Sequence, residues 1–432
     1  MSAAWLLSRS ADVTLFEQDN RLGGHSNTVP AALGDAVIPV DTGFIVYNRE
    51  TYPNLHALFD HLGVETHATN MSFAISLAGG KFEYAGSDLL GLFAQKRNLA
   101  RPRFWSMLRD IRRFYAEATG DAADPANSTI TLGEYLESKS YGAAFCEDHL
   151  LPMAAAIWSA PVDVLRNFPF TAFVRFQQNH GLLQISNRPA WRSVVGGSRI
   201  YIDRLMRDFG GHIRVNCGIE HISPQADGVT LCISSRTCEH FDQVIIATHA
   251  DQALAMLSGP TPDEQHLLGA FEYTRNAAIL HCDETYMPCR RAAWASWNYV
   301  QRSAQAPAST LTVTYWMNRL QELPTTRNLF VTLNPPHDPR EGTVLHRETY
   351  EHPVFNHRAM TAQRELWSLQ QRRRLWFCGA YFGSGFHEDG LQAGLAVAEA
   401  IGGIRRPWNV PDESARIVIG SAPVSPVSQV AA

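Results

Sequence analysis

Two short apolar segments that each run into glycine, one near either end of the chain, constrain the fold of these 432 residues more than anything else in the sequence. Near the start, a helical pattern from Met1 to Ser8 precedes Asp12-Val13-Thr14-Leu15-Phe16-Glu17, a short buried strand that ends in an acid. Arg21-Leu22-Gly23-Gly24-His25 follows, and paired glycines let a backbone approach a pyrophosphate or a ring with no Cβ in the way. A carboxylate at such a strand tip suits the ribose hydroxyls of a dinucleotide, and an arginine just beyond suits phosphate. Near the other end, Leu375-Trp376-Phe377-Cys378-Gly379 is a buried strand. It leads into Gly383-Ser384-Gly385-Phe386-His387-Glu388-Asp389-Gly390-Leu391 and an alanine-rich helix from Gln392 to Ile401, closed by Gly402-Gly403. That order aims free N–H groups and the positive end of a helix dipole at whatever occupies the turn.

As a set, these motifs resemble those of the FAD-dependent amine oxidase and phytoene desaturase superfamily, and within it a bacterial branch of NAD/FAD-binding oxidoreductases. The resemblance implies an α/β fold: a Rossmann-like FAD-binding domain of amine-oxidase type, interleaved with an α+β substrate domain. It implies FAD held without a covalent bond. Glu17, Arg21, Gly23, Gly24 and His25 would meet the nucleotide side, and Gly218 and Ile219 the adenine. Gly379, His387, Glu388, Asp389, Gly390 and Leu391 would meet the N1–C2=O edge of the flavin. Asp389-Gly390 is expected to open the last helix as its N-cap. His387 is either a residue over the ring face, where relatives often carry an aromatic, or a capping or core histidine.

Members of that superfamily begin with a strand and a G-x-G-x-x-G turn that holds the pyrophosphate. Here Met1 stands where the residue after the third glycine is expected. Two explanations are open, an internal methionine taken as the start or a defective protein, and the first is favoured. The chain as written is expected to bind FAD poorly and to leave the neighbours of the first strand with unpaired edges.

The nucleotide half is expected in three pieces, 1–50, 190–269 and 366–410, with a disordered tail over 411–432. The middle piece carries a helix from Arg199 to Phe209 and strands over His212 to Val215, Ile219 to Ser223 and Phe241 to Thr248. Between these pieces lie a helical substrate block, 51–189, and a sheet block, 270–365, with strand-like runs Asn276 to Cys282, Thr310 to Trp316 and Leu329 to Leu333. Aromatics that could line a pocket at the junction include Trp158, Phe168, Phe170, Phe173, Phe176, Trp191, Trp294, Trp297, Tyr299, Tyr315 and Trp316, although most suit an ordinary core.

The expected chemistry is hydride removal from an apolar or lipid-like substrate, of desaturase or dehydrogenase type, with a flavin amine oxidase and a non-catalytic remnant as alternatives. In the amine oxidase branch a lysine in the substrate half assists reaction with oxygen. The lysines here are Lys81, Lys96 and Lys139, so the sheet block has none to offer. Relatives are often encoded beside cyclopropane fatty acid synthases, which favours a fatty acyl chain. Candidates for acid–base help are His25, His281 and His387; His281 reads equally as a satisfied edge residue. The sequence names no metal cluster and no nucleophile triad.

A net charge of −5 gives no basic footprint for nucleic acid. Seven scattered cysteines without a Cys-x-x-Cys pair argue against a disulfide framework or zinc site and for a reducing cytoplasm. One segment stands apart. Leu90 to Tyr115 carries Lys96, Arg97, Arg101, Arg103, Arg109, Arg112 and Arg113 against Asp110, interleaved with Phe93, Phe104, Trp105 and Phe114. It is either a solvated helix face or a peripheral contact with anionic lipid at the inner membrane.

Overall fold

The computed structural model describes residues 1–158, 162–184, 188–234, 237–302 and 312–420. In chain order the elements used below are α1 (Ser2–Leu7), β1 (Thr14–Phe16), α2 (Pro53–Leu62), β2 (Phe73–Leu77), β3 (Phe82–Ala85), α3 (Leu89–Leu92), α4 (Pro102–Ala123), α5 (Phe170–Asn179) and α6 (Arg199–Arg207). There follow β4 (His212–Arg214), β5 (Val244–Ile246), β6 (Glu272–His281), β7 (Trp297–Val300), β8 (Val313–Trp316), β9 (Phe330–Leu333), β10 (Val344–Val354), β11 (Leu375–Phe377) and α7 (His387–Gly402).

In the nucleotide half the parallel strands form two separate pairs, β1 with β4 and β5 with β11. Helices α1, α2, α6 and α7 close one core around Trp5, Leu58, Phe59, Tyr201, Leu205 and Leu395. Pro53 sits in the first turn of α2, where its missing N–H is no loss, and Gly63 ends that helix at φ +64. Because α2 packs here, the nucleotide half extends past the expected boundary at residue 50. An antiparallel meander, His221–Pro224, Val229–Ser234 and Thr237–Phe241, stands beside it. Cys232 and Cys238 face each other across that meander and are joined by a disulfide, which the expectation from cysteine spacing missed. Six residues of separation look too local for a framework, but a tight hairpin brings such a pair into cross-strand register.

The substrate half is one seven-stranded sheet in the order β10-β6-β9-β8-β7-β2-β3. Its pairs are antiparallel except β7 with β2. Helices α4 and α5 pack on it through Phe104, Phe114, Phe170 and Phe173, all fully buried. The expected run Thr310 to Trp316 shortens to β8, with Thr310 and Leu311 outside the described residues.

The stretch 411–420, expected as part of a disordered tail, is held against the fold. Glu413 pairs with Arg405 at 2.6 Å, Arg416 with Asp389 at 2.6 Å, and Ile417 is buried. Residues 421–432 lie outside the described residues.

Candidate flavin site

At the tip of β1 the backbone N–H of Glu17 donates to Arg214 O at 2.9 Å, and Cys217 N and Asn216 N return bonds to Glu17 O and Asp19 O, each at 2.8 Å. These bonds hold the loop carrying Gly218 and Ile219 against the strand-tip acid. One oxygen of the Glu17 carboxylate accepts the N–H of Asp19 at 3.0 Å. Beside it opens a groove of about 370 Å³ lined by Gln18, Asp19, Asn20, Arg21, Asn216 and Glu348. Arg21 donates to Gly24 O at 2.8 Å and lies 4.0 Å from Glu348.

Gly23 and Gly24 both adopt positive φ, +110 and +54, which is why the turn needs glycine. A Cβ on Gly23 would stand 3.0 Å from Ser26 O, whereas Gly24 faces open space. The turn delivers His25, whose ring lies 4.8 Å from that of Tyr350 and 5.4 Å from that of His352. Burial pushes His25 down to about 3, helped by neighbouring His352, His249, His387 and Arg21. His352 is likewise held at about 4 by burial and bonds Asn276 Nδ2 at 2.9 Å. His249 stacks on Tyr273 at 4.3 Å. Four histidines therefore converge on one region as neutral rings.

At the far strand, Gly379 follows β11; a Cβ there would fall 2.6 Å from Tyr381 Cε1. The following helix begins at His387, earlier than either Asp389-Gly390 or Gln392. The cause is Asp389, which stands in the first turn and reaches back to accept Phe386 N at 2.7 Å and Ser384 N at 3.0 Å. Arg416 neutralises it from the opposite side. Glu388, fully buried, accepts Asn54 N, Asn54 Nδ2, Leu55 N and Gln392 Nε2 at 2.9–3.0 Å, so its carboxylate caps α2. Leu391 is buried in the core around α1, and Gly390 packs on Ala380. Both acids of the motif are thus committed to the fold, and what this turn offers a ligand is backbone.

His387 stacks on Phe44 at 4.2 Å and is hydrogen-bonded through Nε2 to the Tyr201 hydroxyl, which in turn meets Ser26 Oγ at 2.7 Å. Burial holds it at about 4. His281 is elsewhere. It ends β6, seven residues beyond Thr274, the partner of His352, and that run spans about 23 Å at strand rise. Its Nε2 meets Thr332 Oγ1 at 2.7 Å and its Nδ1 accepts Asp283 N at 3.0 Å. The structure brings Glu17, Gly218 and Ile219 together, and His25 with His387, but leaves His281 inside the substrate sheet as a satisfied histidine.

Trp158, Phe168, Phe173 and Phe176, named as pocket candidates from the sequence, are joined near the site by Phe386, Gln177 and His180, whose part escaped it. Phe386, adjoining His387, stacks on Phe176 at 4.7 Å, and Trp158 joins Phe176 at 4.5 Å and Phe168 at 5.1 Å. This aromatic wall runs along α5. On the same helix, Gln177 is wholly buried with neither amide atom bonded among the described residues. Just past its end, His180 donates Nδ1–H to Phe176 O at 2.9 Å, which leaves Nε2 a lone pair, also unpartnered there. Burial and nearby Arg416 hold His180 at about 3. The spacing Phe173, Phe176, Gln177, His180 along one helical stripe was the available signal. By contrast Trp294, Trp316 and Phe330 form their own cluster, and Trp297 packs on Tyr315 across strands, so these are core.

A strand-tip acid, a two-glycine turn and a long helix aimed at the same region define a dinucleotide-binding oxidoreductase. The family described as flavin containing amine oxidoreductase matches residues 1–402, and the chain belongs to it. Its members bind FAD. Solved structures of the same fold include cyclohexylamine oxidase from Brevibacterium oxydans IH-35A (14% identity, 93% of this chain and 96% of that one, TM-score 0.63). A fatty acid isomerase from P. acnes that makes CLA is similar at 12% identity over 91% of this chain and 94% of that one, TM-score 0.63. A protein of Exiguobacterium sp. 255-15 described as a protoporphyrinogen oxidase matches at 17% identity over 93% and 95%, TM-score 0.62. No curated protein matches the sequence.

The residues present fit FAD. Gly24 leaves its Cβ space empty, Glu17 keeps a second oxygen for a ribose, and α7 is a sixteen-residue helix whose first-turn acids are already taken up by Asn54, Leu55 and Gln392 and by Arg416. When bound, FAD supplies the acceptor for a hydride.

Proposed function

We propose that this oxidoreductase removes a hydride from an apolar substrate of the fatty-acyl class, as a desaturase or dehydrogenase. The observation that carries the reading is the aromatic wall of Trp158, Phe173, Phe176 and Phe386 at the start of α7. Such a wall orients an apolar chain and excludes water from the reacting carbon. Gln177 and the His180 lone pair give it one polar end, suited to a neutral head group that can donate a hydrogen bond. Similarity to a fatty acid isomerase supports an acyl substrate. The lysines support a slow reaction with oxygen: Lys139 pairs with Asp121 at 2.8 Å, and Lys81 and Lys96 lie beside β3, at the far edge of the sheet.

The test uses the chain loaded with FAD, reduced without oxygen and then exposed to air. Reoxidation over minutes, with acyl substrates bleaching the flavin, is expected. Rapid reoxidation with peroxide formed from primary amines would replace this reading with that of an amine oxidase, the second reading, which the similarity to cyclohexylamine oxidase favours.

A further inference from the structure

The far edge of the substrate sheet carries a surface that the flavin chemistry does not use. Leu89 and Leu90, on α3, are 74% and 81% exposed, and Leu99 and Trp105 are 52% and 49% exposed. They form one patch: the Trp105 indole donates to Leu99 O at 2.9 Å, and Phe93, at the end of α3, sets its ring 6.2 Å from that of Trp105. Around it stand cations. Arg97 and Arg101 both donate to the backbone carbonyl of Lys81, which brings two guanidinium groups together beside that lysine, and Lys96 is exposed next to them in the chain. Arg103 is answered by Glu147 and Asp148, and Arg109 touches Asp110. Lys81, Lys96, Arg97, Arg101 and Arg112 have no carboxylate partner among the described residues. Burial and the charges of Arg97 and Arg290 lower the Arg101 guanidinium below its usual range, a sign of cation crowding.

We infer that Lys81 and the segment from Leu89 to Arg112 form a docking surface for an anionic lipid bilayer. Adjacent leucines and a half-exposed indole lower the free energy when taken out of water. Cations without a carboxylate partner add attraction to an anionic headgroup layer. Leucine, tryptophan and unpaired lysine and arginine on one face fit a headgroup boundary, where the apolar tips enter and the charges stay at the phosphates. Among the described residues no helix is long and apolar enough to cross a membrane, so this surface lies on the bilayer and does not span it.

The inference does not rest on the proposed substrate. Strand β3, against which α3 packs, is six strand spacings from β10, about 29 Å across the sheet from the histidines at the flavin site. The test is co-sedimentation of the full chain with vesicles of phosphatidylcholine alone and with one-third phosphatidylserine, at low and high salt. Binding to the anionic vesicles about tenfold above the neutral ones, lost at high salt, is expected. Leu89→Ser with Leu90→Ser, and Lys96→Glu with Arg97→Glu, should each lower it by about tenfold while circular dichroism and flavin reduction stay unchanged. Equal binding to both vesicle types, no binding to either, or variants that bind like the parent would overturn the proposal. So would self-association that vanishes in the leucine variant, which would assign the patch to a second copy. Failure of the acyl substrate in the flavin assay leaves all these outcomes readable.

Discussion

The two halves of this molecule are held together by different means. The substrate half is a continuous ladder whose two longest strands, β6 and its edge neighbour β10, run ten and eleven residues. In the nucleotide half β1, β4, β5 and β11 are each three residues long, in two unconnected pairs. What joins its distant segments is a set of buried carboxylates. Asp41 accepts Ser198 N, Ser198 Oγ, Thr28 Oγ1 and Gln321 Nε2; Glu388 caps α2; Asp389 pairs with Arg416. A ladder spreads its stability over many weak bonds, whereas a buried carboxylate concentrates it, since removing one partner strands the others in a dry interior. Point changes should therefore cost more in the half that holds the cofactor.

The largest effect is expected at Arg416. Its Nε–Asp389 bond is 2.6 Å, its NH1 reaches Thr51 O at 2.7 Å, and Asp389 is fully buried. Arg416→Ala leaves that carboxylate unpaired and should cost about 3–5 kcal/mol, read as a lower denaturation midpoint and weaker FAD retention. Adding Asp389→Asn should recover part of the loss. An Arg416→Ala protein as stable as the parent would show that residues 411–420 do not grip α7. Glu388→Gln comes next, at about 2 kcal/mol, because the amide keeps one acceptor oxygen for donors that now share two. A loss as large as that of Arg416→Ala from a single hydrogen-bond deletion within β6 or β9 would erase the distinction between the halves.

The sequence was read well where a residue type answers to backbone geometry and poorly where it answers to a distant side chain. The strand-tip acid Glu17, the Gly23-Gly24 turn and the glycine after β11 were legible because strand, turn and glycine constraints are local. The jobs of Glu388 and Asp389 were not, since their partners Asn54 and Arg416 lie 334 and 27 residues away. For the same reason the ordered stretch before residue 421 read as tail. Strand β10 went unnamed because it is an edge strand, and Arg347, Glu348, Glu351 and His352 break the apolar alternation that marks a strand with two neighbours.

A milder effect should appear on acidification. Burial holds His25, His180, His352 and His387 at about 3 to 4, below the 6.5 of an unfolded histidine. Between these values the unfolded chain binds more protons, so these groups make stability fall as pH drops through 6.5 toward 4. Asp41, raised by burial to about 6, acts in the opposite sense over the same range, because its folded form takes up the proton first. The histidines prevail by number, and the Tm should fall on the order of 5 °C between pH 7 and pH 5. Their placement around the flavin region predicts that FAD release accompanies this loss. A Tm that is flat or rises on acidification would show that these rings are not held neutral.

The smallest effect on turnover is expected at His281, and it sharpens the comparison most. Its two ring nitrogens serve Thr332 and Asp283 within the sheet, about 23 Å along β6 from the residue opposite His352. His281→Phe removes both bonds and should cost about 1–3 kcal/mol of stability. The neighbouring strands remain paired through their backbones, so the site geometry is kept. Flavin reduction by substrate, and its pH profile, should be unchanged within twofold once the protein is folded. A His281→Phe protein that folds but loses a titration step in kcat would place this histidine in the proton path and make the substrate sheet a working part of the chemistry.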